Sequence, residues 1–186
     1  MKTNCIIVHG CPSKPMPISE YTGHWIPWLK EELIRRGIDT QIALMPKPWA
    51  PDYSEYKKAI SNYKINNQTT LIGHSCGCAF LVRWLGETSI KVKKLILVAP
   101  WKIAPEHDKF RELFYNYQIN TNVTGKVGEI IMFTSNNEED GGKKSLQIFH
   151  KVIGGKIITL ENMGHYTIED MGTEKIPELL NEVLAK

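Results

Sequence analysis

A serine hydroxyl is a poor nucleophile unless a nearby base takes its proton, so useful chemistry requires a serine on a constrained turn and a histidine able to reach it. The chain offers Gly73-His74-Ser75-Cys76-Gly77, a G-x-S-x-G pattern. Its own Gly and Ser content would produce roughly 0.05 such matches by chance. The pattern sits between an apolar run at 69–72 and a helix-like stretch at 77–85. That is the strand–turn–helix setting of a nucleophile elbow. Such a turn lifts the serine Oγ out of the sheet and leaves no room for side chains two residues to either side, hence Gly73 and Gly77.

Six histidines could supply the base. His165, in Asn162-Met163-Gly164-His165-Tyr166, follows the last expected strand and comes out at the same sheet edge as Ser75, so topology selects it. His107 and His150 fall in expected surface helices. His24 precedes a helix start, where packing or capping explains it. His74 should point away from Ser75, and His9 ends the first strand close enough to support the site. The chain order nucleophile, acid, histidine places the acid after the fifth strand, in Ser135-Asn136-Asn137-Glu138-Glu139-Asp140-Gly141-Gly142. Glu138, Glu139 and Asp140 all lie within reach. Glu138 comes soonest after the strand, while Asp140 has the commoner side chain but adjoins two flexible glycines.

An acyl-transfer site also needs donors for the developing oxyanion. The N–H of Cys76 follows the nucleophile and opens a helix whose dipole favours negative charge. A second donor is expected from His9-Gly10-Cys11-Pro12. Proline has no N–H, which leaves Cys11. Oxidation of either thiol would distort these donors, and Cys76, at the helix N-terminus, is the more reactive of the two.

The elements that must position these residues alternate along the chain. Strands are expected at 5–8, 40–44, 69–72, 94–99, 129–133 and 156–160. Helices are expected at 25–36, 53–63, 77–85, 106–117 and 143–152, with a last one from Thr173 onward. Six strands alternating with six helices imply a parallel sheet covered on both faces. With no repeat and no linker, residues 1–186 read as a single domain. The segment 100–125 stands where a cap could be inserted and is short, so little or no cap is expected. Trp101, Phe114 and Tyr117 within it could line a pocket.

The composition fits that picture. With 42% hydrophobic and 23% charged residues, the chain is too apolar for disorder. The net charge of +3, with basic and acidic residues interspersed, argues against a nucleic-acid partner. The longest apolar run, 95–101, is far below the ~18 residues of a membrane span, and the first residues are too briefly apolar for a signal peptide. The four cysteines do not make a disulfide framework or a C-x-x-C pair. They are expected as reduced, buried thiols in a cytoplasmic protein with no metal site.

The first-strand His9-Gly10, Trp25-x-x-Trp28-Leu29, the Gly73–Gly77 elbow and Gly164-His165 together resemble the retinoblastoma-binding-protein-9-like serine hydrolases, over nearly the whole chain. The resemblance implies a compact α/β-hydrolase fold without cofactors and a triad of Ser75, His165 and an acid after the fifth strand. Glu138 takes the fourth place of the family's S-x-x-acid pattern. The family usually has aspartate there, followed by an apolar residue and often proline, whereas here more acids and Gly141-Gly142 follow. The L-x-C-x-E motif is absent, so no retinoblastoma-type partner carries over and no protein partner is assigned.

The expected reaction is metal-free hydrolysis of a small-molecule ester, thioester or amide, through an acyl-enzyme on Ser75 with His165 as base. Activity should rise with pH through neutrality, since the base must be an uncharged imidazole and an unperturbed one titrates near roughly 6.5. The alternative is a non-catalytic binding or scaffold protein on the same fold.

Overall fold

A computed structural model describes residues 3–185. Strands β1 (Asn4–Val8), β2 (Asp39–Ala43), β3 (Thr69–His74), β4 (Val92–Val98), β5 (Val127–Ser135) and β6 (Lys156–Leu160) form a parallel sheet in the order β2-β1-β3-β4-β5-β6. Successive side chains on a strand face opposite ways. In β1, Ile6 and Val8 therefore join one core while Cys5 and Ile7 join the other.

The helices divide between the same two cores. α1 (Ile18–Thr22) and α2 (Trp25–Arg35) follow β1, and α2 buries Trp25, Ile26, Leu29 and Leu33 in the second core. α3 (Tyr53–Ile60) and α4 (Cys76–Glu87) pack in the first. α5 (Lys109–Tyr115) lies between β4 and β5, and α6 (Asp140–Ile153) adds Leu146 and Phe149 to the first core. α7 (Ile168–Met171) is a single turn, and α8 (Pro177–Leu184) closes the second core with Leu179, Leu180 and Val183. The chain leaves β1 toward one face and β3 toward the other, so the strand order reverses between them. In open α/β sheets the crevice at such a switch point is where ligands bind.

Several helix ends differ from their expected positions for identifiable reasons. α5 starts at Lys109 because Asp108 caps it, accepting the Arg111 N–H at 2.9 Å. α8 begins at Pro177 rather than Thr173, since buried Ile176 anchors the chain and proline suits the first helical position. α6 begins at Asp140 and takes Gly141 and Gly142 into its first turn, despite their poor helix propensity. α1 and α7 are too short to leave a periodic signal.

Candidate active site

The elbow is tight. Ser75 has φ 52° and ψ −121°, a conformation that non-glycine residues rarely adopt and that costs about 1–3 kcal/mol. Its surroundings over-determine it: the Ser75 N–H donates to the Val98 carbonyl at 3.0 Å, and its carbonyl accepts from Cys78 N–H at 3.0 Å and Trp101 N–H at 3.3 Å. A Cβ on Gly73 would stand 2.8 Å from the Cys78 nitrogen, and one on Gly77 2.6 Å from the Val8 carbonyl. Both glycines are therefore imposed by close backbone approach.

His165, on the loop after β6, brings Nε2 to 2.9 Å from Ser75 Oγ. Its Nδ1 lies 3.1 Å from both carboxylate oxygens of Glu138. Of the three candidate acids, Glu138 is the one against His165, and only 1% of its side chain is exposed. Glu139, the N-cap of α6, donates its backbone N–H to Glu138 Oε1 at 2.9 Å, and its own side chain is exposed. Asp140 is exposed in the first turn of α6.

The departures from the family pattern after Glu138 now have a physical account. A Cβ on Gly142 would fall 2.6 Å from Glu138 Cδ, and one on Gly141 2.7 Å from the Trp101 ring. The two glycines make room for the longer acid and for the indole beside His165, whose ring centroid is 5.1 Å from that of Trp101. They do not loosen the loop; they let the helix start against it.

The histidine loop is held by side chains. The N–H groups of Asn162, Met163 and Gly164 donate to Asn136 Oδ1, Ser135 Oγ and Asn137 Oδ1 at 2.8, 2.9 and 2.9 Å. His165 N–H donates to Asp170 Oδ2 at 2.9 Å. These positioning groups escape a motif search. Their one visible signal is the polar triplet Ser135-Asn136-Asn137 at a strand end.

On the β1 side the cysteine expectation must be corrected. Cys11 and Cys76 are not separate thiols but a disulfide, with Cα atoms 5.7 Å apart and a sequence separation of 65. Register explains a pairing that sequence spacing could not reveal. Val8 stands opposite Gly73 in the β1–β3 ladder, so the residues three places beyond each meet. The bond brings together the backbones of both expected oxyanion donors. Cys76 is the first residue of α4, where N–H groups lack intrahelical partners. Cys5 and Cys78 remain free and buried.

Arg111 of α5, which no motif pointed to, reaches across to the same loop. Its Nη2 donates to the carbonyls of Cys11 and Pro12 at 3.0 and 2.6 Å, and its Nη1 pairs with Asp108. Cys11 Sγ also lies 3.6 Å from the Tyr56 hydroxyl.

The other histidines divide clearly. His9 is buried and neutral by its bonds: Nε2 accepts from Met45 N–H at 2.9 Å, so Nδ1 is the donor to the Gly10 carbonyl at 2.7 Å. Burial lowers its pKa. His24 occupies the N-cap position of α2 without a side-chain cap bond, and burial first of all brings its pKa down to about 4. His107 sits in an exposed turn before α5 rather than within a helix, and His150 is exposed on α6.

Ser75 opens onto two spaces. A cavity of about 1000 Å³ lies under α5, with Trp49, Trp101, Phe110 and Tyr115 as aromatic walls. Phe114 and Tyr117, two of the expected lining residues, turn elsewhere: Phe114 packs on Tyr56, and the Tyr117 hydroxyl donates to the Ala79 carbonyl. A second cavity of about 280 Å³ lies toward α1 and α7. Among the described residues, no group of three His, Cys, Asp or Glu is placed to hold a metal, and no helix is long and apolar enough to cross a membrane.

Comparison with known proteins follows the same lines. The Bacillus subtilis protein YdeN, named as a candidate hydrolase, is 30% identical over 93 residues, 49% of this chain and 46% of that protein. The aligned stretch thus spans about half of the relative. The structure of the ydeN gene product superposes with a TM-score of 0.82 at 20% identity, covering 98% of this chain and 97% of that one. A YdeN-like candidate hydrolase from Pectobacterium atrosepticum gives 0.68 at 15% identity over 98% and 89% of the two chains. Est1E from Butyrivibrio proteoclasticus gives 0.62 at 18% identity over 100% and 90%. At these identities the structures speak for the α/β-hydrolase fold alone. The family rests on the sequence itself, whose residues 5–185 match the model of the Serine hydrolase family, to which this chain belongs.

Proposed function

We propose that the chain works as a single α/β-hydrolase domain cleaving a small ester, thioester or amide by acyl transfer through Ser75, without a metal or organic cofactor, in the retinoblastoma-binding-protein-9-like branch of the family. The observation that carries this reading is the line Ser75 Oγ, His165 Nε2, His165 Nδ1, Glu138 carboxylate, with contacts of 2.9 and 3.1 Å.

Ser75 Oγ attacks the substrate carbonyl while His165 Nε2 takes its proton. Glu138 accepts the Nδ1–H, which fixes the tautomer and stabilises the imidazolium. The tetrahedral oxyanion is held by the N–H groups of Cys76 and Cys11, next to the positive end of α4. His165 then protonates the leaving group, and water, deprotonated by the same imidazole, releases the acid. The larger cavity takes the bulkier substituent and the smaller cavity the other. Est1E has been crystallised with ferulic acid, and the aromatic walls here suit a planar acyl group of that kind. The Cys11–Cys76 bond favours a compartment in which disulfides persist, and in a reducing cytoplasm the same pair would stand as thiols.

The test is labelling by a fluorophosphonate together with turnover of p-nitrophenyl esters. Labelling and turnover that both vanish in Ser75→Ala are expected. A folded wild-type chain that neither labels nor hydrolyses any ester of a broad panel would overturn the proposal and leave a binding role on the same fold.

A further inference from the structure

The nucleophile elbow and the histidine loop come from strands three positions apart in the sheet, yet one side chain joins them. His74 precedes Ser75, and its Nε2 lies 3.0 Å from the backbone carbonyl of His165. That contact requires a hydrogen on Nε2, because a carbonyl can only accept. His74 Nδ1 is buried and has no partner, so it carries the lone pair of the neutral ring. Gly10 makes this possible, since a Cβ there would come within 3.2 Å of His74 Nδ1.

The ring is packed among other rings, with one edge on the smaller cavity. His24 meets it edge-on at 4.8 Å and Trp25 at 5.8 Å between centroids, with the His165 ring at 5.5 Å. Burial, then the neighbouring His24 and His165, hold its pKa well below the usual imidazole value, with His9 adding in the same direction. The hydrogen bond to the His165 carbonyl works the other way without offsetting them. His74 is thus kept as a permanent donor instead of a titrating group. Its neighbours explain the need for it. The N–H groups of 162–165 are gripped by side chains of the β5 end and Asp170, but those bonds fix only the donor side of the His165 peptide.

We propose that His74 is a positioning residue for the hydrolytic reaction, donating Nε2–H to the His165 carbonyl so that the base loop is registered to the same backbone that carries Ser75. This rests on the Ser75–His165 reading above. The consequence is a larger effect on rate than on binding: His74 borders the smaller cavity, but its donor is committed to the His165 carbonyl, and a displacement of His165 by an ångström can cost on the order of 10²-fold in rate.

The experiment compares His74→Gln, whose amide nitrogen can stand where Nε2 stands, with His74→Leu, of similar bulk and no donor. In p-nitrophenyl ester turnover, His74→Leu should lose about 10²-fold in kcat with KM within about twofold, and the acidic limb of its kcat/KM profile should shift. His74→Gln should recover most of kcat and restore the limb. Proton–nitrogen NMR of the wild type should show an exchange-protected His74 Nε2–H that persists from pH 5 to 8. A fully active His74→Leu, or a His74→Gln as impaired as His74→Leu, overturns the proposal, as does a His74 ring that titrates near neutrality. Should His74→Leu not fold, the NMR and His74→Gln arms decide alone. A wild type without labelling or turnover removes the parent reading as well, a different result from an active wild type with an indifferent His74.

Discussion

On the β5–β6 side of Ser75, four consecutive backbone N–H groups each end on a side-chain oxygen, from Asn136, Ser135, Asn137 and Asp170. On the β1 side, the loop after Val8 is held by a disulfide to Cys76 and by Arg111 reaching over from α5. The first arrangement uses three residues together at the end of β5 and Asp170 of α7, and it orients a side chain, His165. The second uses residues 65 to 100 positions apart, and it holds the backbone that the proposed mechanism uses for its oxyanion donors. The difference follows from what each side must control. A ring that moves a proton needs its orientation fixed about several bonds, which many directional hydrogen bonds achieve. A backbone donor is already rigid and needs only its loop held close.

If that contrast holds, variants on the β5–β6 side should cost rate and those on the β1 side should mainly cost stability. The largest effect belongs to the acid. Glu138→Gln should lower kcat by on the order of 10⁴, because the imidazolium loses its partner and the tautomer its anchor. Asp140→Asn should stay near wild type. The reverse pattern would reassign the acid.

Next comes the loop grip. Asn137→Ala releases the Gly164 N–H beside His165 and should cost about tenfold or more in kcat, with little change in KM. A loss confined to KM would mean that the grip acts on substrate and not on the ring.

Reduction of the Cys11–Cys76 bond by a dithiol probes the other side. Closing a loop of this length is worth about 4 kcal/mol in the chain-entropy account. Tm should therefore fall by roughly 10 °C, while kcat changes less than in Asn137→Ala because Arg111 still holds the loop. The double change, reduction plus Arg111→Met, should lower kcat further than either alone. If reduction by itself abolishes turnover at a temperature where the chain is folded, the disulfide is part of the catalytic geometry and the contrast is wrong.

The smallest effect is a pH dependence of stability. His9, His24 and His74 all have folded pKa values below those of the unfolded chain, chiefly through burial, with His24 at about 4. The unfolded chain therefore binds more protons as pH falls below about 6.5, the ordinary imidazole value. Stability is full above that pH and declines toward pH 4. Thermal melts should show Tm dropping by several degrees between pH 7 and 5, and a flat Tm over that interval would refute the buried neutral cluster.

Much of the frame is legible in the order of the amino acids. Six apolar runs with helical stretches between them encode a parallel sheet, because each feature depends on residues within a few positions of one another. Ser75 is legible for the same reason, since strand, turn, glycines and helix are contiguous. His165 follows from topology, as successive βα units deliver their loops to one sheet edge. Helix ends such as the start of α6 are less legible, because the contact of Gly141 and Gly142 with Trp101 and Glu138 overrides their local propensity.

The sequence by itself determined the order of the elements, the edge of the sheet where chemistry could occur and the residue types gathered there. Tertiary structure decided which of three neighbouring carboxylates turns inward to His165, which two of four cysteines bond, and which way the His74 ring donates. Those choices depend on strand register, on space left by glycines and on packing between segments far apart in the chain, and none of these is a property of a local stretch of residues.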